Sequence, residues 1–381
     1  GYDNGNTCNF EDTSGCSDDY GITLNINNLS NSGTITAEGK GYPGNKGPGS
    51  SWDNGGSWGG NGGSYGGYGG RSNTDRESSA DPYGSVYEPI YLGSGGGISD
   101  NSYGGGAIKF VTSGTFLNDG EINTNGLEYG GDRVGTGSGG SIWIDTNIFD
   151  GDGTLTSNGG NRTSGVGGGS GGRIAIYYNT DNSSILNSLS TDTPKIEAFG
   201  GLGSVDDYGG PGTIYIEHDG IDPNLGANLY IDNNSHNALQ AGLTPNNYEF
   251  SQIYLTRYGH LDILGEGSNL TATSESIFQG DNTSNLDVYG TLHLPDTITV
   301  NNLALGIKGD LWSNTDNSDT SNMNITVGSV GKMNLYAGAW GVNGGSYSFD
   351  TLDINSGGYL YLTGYDNGNT CNFEDTSGCS D

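Results

Sequence analysis

The sequence predicts an all-β chain: a right-handed parallel β-helix with stacked glycine-rich loops, continuous across a 363-residue tandem repeat. Three observations carry that expectation. Short segments alternate apolar and polar residues, as one-sided burial of a strand demands, and none shows the roughly 3.6-residue period of a helix. Related strands recur, with Ile108, Ile142, Ile174 and Ile214 spaced 34, 32 and 40 residues apart. Recurrence at about 20–50 residues is the mark of a solenoid. Finally, the eighteen residues Gly1–Asp18, GYDNGNTCNFEDTSGCSD, return unchanged as Gly364–Asp381. An identity without a single change points to a repeat period rather than to drifted homology.

Composition narrows the class. With 74 glycines among 381 residues, 31% hydrophobic and 15% charged residues, the chain could be low-complexity polymer. The 24 Tyr, 9 Phe and 5 Trp, set among alternating Ile, Leu and Val, argue instead for a thin but real core. Nine prolines and no Gly-X-Y period exclude collagen. The balance of 44 acids against 12 bases gives −32. The closing copy holds Asp366, Glu374, Asp375, Asp381 and no base, so one period carries −28. Such a surface excludes nucleic acid, whose phosphates need clustered Lys and Arg, and attracts divalent cations. No apolar run is long enough for a membrane-spanning helix. The first residue is not Met and no signal peptide is visible, so the chain reads as a mature piece or a slice.

Residues 1–20 read as a disulfide loop at the repeat seam. Cys8 and Cys16, seen again as Cys371 and Cys379, are separated by seven residues in a loop rich in Asn, Asp, Gly and Ser. A local disulfide fits better than metal thiolates, because no His lies nearby, and it implies an oxidising, extracellular setting. Residues 21–220 hold glycine-rich β-helix units, each with a short alternating strand, a turn, a strand of the form G-x-I-x-x-x-G and a glycine-rich excursion. A long Gly/aromatic insertion interrupts them at 41–106. Residues 221–363 continue with shorter loops, and 364–381 begin the next repeat. Roughly ten units per period would rise about 45–50 Å at the usual strand spacing. Leu360 and Leu362 end the last unit and Ile22, Leu24 and Ile26 open the first, with no cap between them, so the coil is expected to run through the seam.

The excursions at 126–140, 159–172 and 200–212 leave from equivalent corners. They are expected to stack, with glycine letting main chain approach main chain. In the insertion, Trp52, Trp58, Tyr65 and Tyr68 alternate with glycine doublets. Their faces suit either a sugar ring or the coil's own open side, and both readings stay open. Asp3, Asn4, Asn6, Glu11, Asp12, Asp18 and Asp19 offer hard oxygen ligands for Ca²⁺, with Asp316 and Asp319 as a second candidate. Neither matches an EF-hand loop, and solvated loop acids are the alternative. Catalysis is not expected. His218, His236, His260 and His293 share no position among the units, no carboxylate pair converges with a base, and H-E-x-x-H does not occur.

The stretches GGGSGGRIAIYY (Gly167–Tyr178), GSGGSIWIDT (Gly137–Thr146) and GTLTSNGG (Gly153–Gly160) resemble the glycine-rich parallel β-helix of giant tandem-repeat bacterial surface fibre and adhesin proteins. The resemblance covers about Gly21–Gly220. It implies secretion to the cell surface and a structural role in a fibre or matrix, with further copies of the module as partners. It offers no catalytic residue to carry over and no required cofactor. A glycan- or surface-binding adhesin is the alternative, and a polysaccharide-degrading β-helix the remoter one.

Overall fold

A computed structural model describes residues 21–50, 60–72, 80–99, 101–128, 134–162, 166–203, 208–218, 227–265, 267–272, 277–313, 321, 323–337 and 347–364. Among these residues the chain is strand and extended loop, with one 3₁₀ turn at Leu186–Ser190 and no α-helix. In chain order the strands begin with β1 (Ile22–Ile26), β2 (Leu29–Asn31), β3 (Thr34–Thr36), β4 (Ala107–Asn118), β5 (Glu121–Asn123) and β6 (Ser141–Asp150). There follow β7 (Thr154–Thr156), β8 (Arg173–Asp181), β9 (Ile196–Glu197), β10 (Thr213–His218), β11 (Asn228–Asp232) and β12 (Ala241–Leu243). Next come β13 (Asn247–Phe250), β14 (Gln252–Thr256), β15 (Leu261–Ile263), β16 (Asn269–Ala272), β17 (Phe278–Gly280), β18 (Asn285–Val288) and β19 (Thr291–Leu294). The last are β20 (Thr297–Val300), β21 (Ala304–Ile307), β22 (Leu311–Ser313), β23 (Asn324–Val327), β24 (Lys332–Ala337), β25 (Thr351–Ile354) and β26 (Tyr359–Gly364).

The chain forms two compact units. One takes the described residues up to Thr244 together with Ser251–Leu261. In it, one sheet runs β1–β4–β6–β8–β10–β11–β14, and a second runs β3–β5–β7–β9. Each passage of the chain through β4–β5, β6–β7 and β8–β9 adds one strand to each sheet. The strands stack like on like: Ile108, Ile142, Ile174 and Ile214 are register partners, as are Phe110, Ile144, Ile176 and Ile216. On the other sheet Ile122, Leu155 and Ile196 line up. These side chains form one buried cluster, joined by Phe116 and Phe149, whose rings stack at 5.8 Å. Alternation drives this packing, because every second residue faces inward at a fixed height.

One expectation needs correction here. The strands from β1 to β10 are parallel, but β11 lies antiparallel on β10, with Ile214 opposite Tyr230 and Ile216 opposite Asn228. β14 is then parallel to β11. Among the described residues the strand direction therefore reverses at β10–β11, so this sheet is not uniformly parallel.

The second unit takes Pro245–Phe250 and the described residues from Asp262. Most of its strands fall into three short ladders, β15–β18–β21–β24–β26, β13–β16–β19–β22 and β20–β23–β25, parallel at the pairs from β18 to β26, from β13 to β22 and from β20 to β25. Leu286, Leu305, Met333 and Leu360 make one interior column, and Leu270, Leu292 and Leu311 another. Ile298, Ile325 and Leu352 make a third. No helix among the described residues is long and apolar enough to cross a membrane.

Candidate functional site

The feature that sets this chain apart is a lattice of main chain in the first unit. Just before each inward strand, successive amides follow the same hydrogen-bonding rule. Ser138 N donates to Ser94 O, Gly139 N to Ser170 O, Gly140 N to Thr124 O and Ser141 N to Gly106 O, at 2.8–2.9 Å. One passage later, Ser170 donates to Gly63, Gly171 to Gly210, Gly172 to Ser157 and Arg173 to Gly140, at 2.7–2.9 Å. Gly104, Gly105 and Gly106 follow the rule too, donating to Tyr42, Ser138 and Ala37. Three consecutive N–H groups thus point three ways, as in an extended chain of three residues per turn. The next passage, Gly210–Thr213, keeps three of the four bonds. Its missing donor is Pro211, which has no N–H, at the slot where Gly139 and Gly171 reach towards the next passage. Proline there ends the lattice without leaving an orphan donor.

Glycine is required here for closeness. A Cβ on Gly139 would collide with the Ser157 carbonyl, on Gly169 with that of Gly137, and on Gly171 with that of Ala198. None of these three glycines has a positive φ, so the constraint is contact between backbones rather than a left-handed conformation.

The described residues of the insertion form the outer layer of this lattice. The carbonyls of Tyr42, Ser94, Gly63 and Tyr68 accept in turn from four successive passages, so the insertion runs along the stack and clasps it. Tyr65 is fully buried. Its hydroxyl shares a 2.6 Å hydrogen bond with Ser141 Oγ and its ring centre lies 5.5 Å from the Arg173 guanidinium. Burial pushes the Tyr65 phenol up to about 12. This corrects the sugar-stacking reading for Tyr65, because a ring without exposed surface offers no face to a glycan. Tyr68 is partly buried, its carbonyl and amide both engaged in the lattice. Trp52 and Trp58 lie outside the described residues, as do Cys8, Cys16, Cys371 and Cys379. So do Asp3, Asn4, Asn6, Glu11, Asp12, Asp18, Asp19, Asp316 and Asp319. Among the described residues no three His, Cys, Asp or Glu side chains gather as a cation site.

Two charged groups escape sequence reasoning. Arg173, at the head of β8, is the largest fully buried side chain. It donates to the carbonyls of Tyr83 at 3.0 Å and Gly242 at 2.9 Å and to Thr213 Oγ1 at 3.2 Å. It thereby ties the insertion to the strands, a role that its sequence slot, shared with Ser141 and Thr213, does not announce. In the second unit Asp262 is 5% exposed and its Oδ1 has no partner among the described residues. Burial, and then the neighbouring Asp287 charge, push its carboxyl up to about 7 against the pull of Lys308. Lys308 lies 2.9 Å from Asp287 Oδ2 and 2.7 Å from the Tyr289 hydroxyl. Burial lowers the lysine, but Tyr289 and Asp287 outweigh it and hold the ammonium charged. A polar groove of about 350 Å³ opens beside Asp287, lined by Asn282, Asn285, Lys332, Asn334 and Tyr336.

The apolar columns do not close at the chain's outer strands. On β1, Ile22 is 57% exposed and Leu24 also lies open, although their partners Ile108 and Phe110 are buried. On β26, Leu362 is 74% exposed over the buried Leu335, with Tyr359 and Tyr361 exposed beside it. Ile354 on β25 is exposed in the same way over Val327. Each of these strands carries the inward alternation of its ladder and stands at its end, with no further strand paired to it among the described residues. Comparison of the chain with protein-family models, characterised proteins and solved structures finds no match in any of the three.

Proposed function

We propose that this chain is a structural module of an extracellular fibre, built of tandem 363-residue copies that continue one β-solenoid from module to module. The observation that carries the reading is the conjunction of identical ends with open columns. Gly364–Asp381 restarts the sequence of Gly1–Asp18, and the strands nearest that seam, β26 and β1, expose the apolar residues that every other tier covers. An uncapped ladder pairs with whatever strand follows, and here that is the next copy. The glycine lattice suits mechanical work, since it covers one side of the strands with hydrogen-bonded main chain and no reactive side chain. The remaining parts of the proposal are the right-handed winding of the β1–β10 portion, the Cys8–Cys16 staple and the export that it implies.

Cryo-electron microscopy of the native material tests the reading. A thin filament with an axial repeat of about 45–50 Å and unbroken density across each seam is expected. Discrete particles, or a gap at every repeat, would remove the fibre and reopen the question of a binding role.

A further inference from the structure

Three ion pairs occur among the described residues, and one of them is built like a reaction site. Lys195–Asp152 lies open to water, and Arg257–Asp232 offers a guanidinium, which stays charged and is no nucleophile. Lys308–Asp287 sets a primary amine against a carboxyl, with the two side chains only 18% and 17% exposed. Asp287 alternates with the buried Leu286 and Val288, so it faces outward on β18, beside its register partner Gly306 on β21. A Cβ on Gly306 would collide with Asp287 Oδ1. The missing side chain is what lets the carboxyl lie across β21 towards Lys308. The rings of Tyr289 and Tyr336 wall the amine, their centres 4.3 and 5.7 Å from Nζ. On the neighbouring strand β15, Asp262 alternates with the buried Leu261 and Ile263, and its own buried Oδ1 has no partner among the described residues. An unpaired buried oxygen is a cost that packing alone does not explain.

We propose that Lys308 and Asp287 condense into an intramolecular amide, with Asp262 as the hydrogen-bond donor that assists the step. The pair begins as ammonium and carboxylate. One Nζ proton passes to Asp287 Oδ2 along the 2.9 Å hydrogen bond, leaving a neutral amine against a neutral acid. The Nζ lone pair attacks Cγ, the C–N bond forms and negative charge collects on Oδ1. A neutral Asp262 carboxyl donates to that oxyanion, as a donor already in place. A second Nζ proton goes to the Oδ2 hydroxyl, the C–Oδ2 bond breaks and water leaves into the groove beside Asp287. One ammonium and one carboxylate thus become one amide and one water, with no other reactant. The first transfer is uphill: burial opposes the ammonium, but Tyr289 and Asp287 outweigh burial and hold it charged. Contact between the partners offsets this, since well-oriented groups react as if at an effective concentration on the order of 10⁵ M or more. Condensation removes both charges but leaves Asp262 buried, and burial is the larger cause of its raised carboxyl. The link would tie β18 to the end of β21 covalently, and it stands whether or not copies of the chain form a fibre.

Intact-mass spectrometry of the folded chain, reduced and denatured just before measurement, reads the link. Most wild-type molecules should be lighter than the sequence by one water, and digestion should yield a branched peptide joining Asp287 to Lys308. Asp–Gly pairs such as Asp119–Gly120 and Asp152–Gly153 also lose a water when they close to a succinimide, so the mapped peptide decides. Lys308→Arg keeps the ion pair and should show the full mass. Asp262→Asn keeps a donor and should still link. Asp262→Ala, sampled at intervals after synthesis, should link at least about a hundredfold more slowly than wild type. Unchanged hydrogen-exchange protection of β18–β24 checks that each variant folds. Full mass in folded wild type would overturn the proposal, as would a water loss mapped only to an Asp–Gly pair. Undiminished linking in folded Asp262→Ala would overturn it as well.

Discussion

The first unit closes its strands with glycine main chain, whereas the second closes them with a third ladder of side chains. In the second unit the interior columns are mostly Leu, Ile, Val and Met, with Tyr248, Phe250, Ala272 and Ser313 joining the β13–β22 ladder, and shape comes from side-chain volume. In the first, two sheets supply the apolar columns and the remaining side is backbone packed on backbone. The two solutions fail differently. A side-chain column tolerates exchange among residues of similar volume. At Gly139, Gly169 and Gly171 the lattice leaves no space for a side chain, because a carbonyl of a neighbouring segment already fills it. Its specificity comes from hydrogen-bond direction, with each amide assigned to a different neighbour.

The sharpest way to break that contrast is Gly169→Val. Its side chain would collide with the Gly137 carbonyl, which cannot move without giving up its own lattice bond to the Gly160 amide. We expect a loss of about 4 kcal/mol or more, confined to the first unit, since overpacking of backbone cannot relax by rotamer change. Hydrogen exchange of the intact chain should show loss of protection for β6 and β8 with β18–β24 unchanged. Equal loss in both units would mean that the lattice is not a separate element.

A smaller effect belongs to the second unit and depends on pH. Asp262 titrates near 7 in the folded chain, above its ordinary value of 3.8, so folding favours its protonated form. Stability from this group is fully present below about pH 4 and is lost as pH rises through about 7. Each pKa unit is worth about 1.4 kcal/mol, so the loss approaches about 4 kcal/mol at most. Asp262→Asn should abolish that slope and raise the denaturant midpoint at about pH 8. A midpoint falling equally with pH in wild type and variant would reject the assignment.

The smallest effect calibrates the others. Gly33 lies outside the lattice, and the nearest atom to a Cβ there is Asn31 Oδ1 at 4.0 Å. Gly33→Ala should change stability by less than about 0.5 kcal/mol. A large loss would show that glycine matters here for reasons other than contact.

Much of this is legible along the chain. Alternation at Ile108–Phe110, Ile142–Ile144 and Ile174–Ile176 announces strands, and their spacing announces stacking, because a fixed inward phase can be satisfied only by a neighbour of the same phase. The glycine doublets mark where the excursions stack. The reversal at β10–β11 is not legible: an alternating strand reads identically in either direction, so Asn228–Asp232 carries no sign of its orientation. Nor is the fate of Tyr65, since a tyrosine between glycines has the same letters inside a lattice as on a surface.

The sequence by itself determined the all-β class, the strand phase, the repeat offset and the places where main chain must touch main chain, for these follow from periodicity and from missing side chains. Only the tertiary structure decided which neighbour each amide addresses, that Arg173 and Tyr65 lie inside, that Pro211 stands where a donor would be wasted, and that Asp262 is held near neutrality. Those depend on directions and burial, which are set by segments as far apart as Gly63 and Ser170 and are encoded in no local pattern.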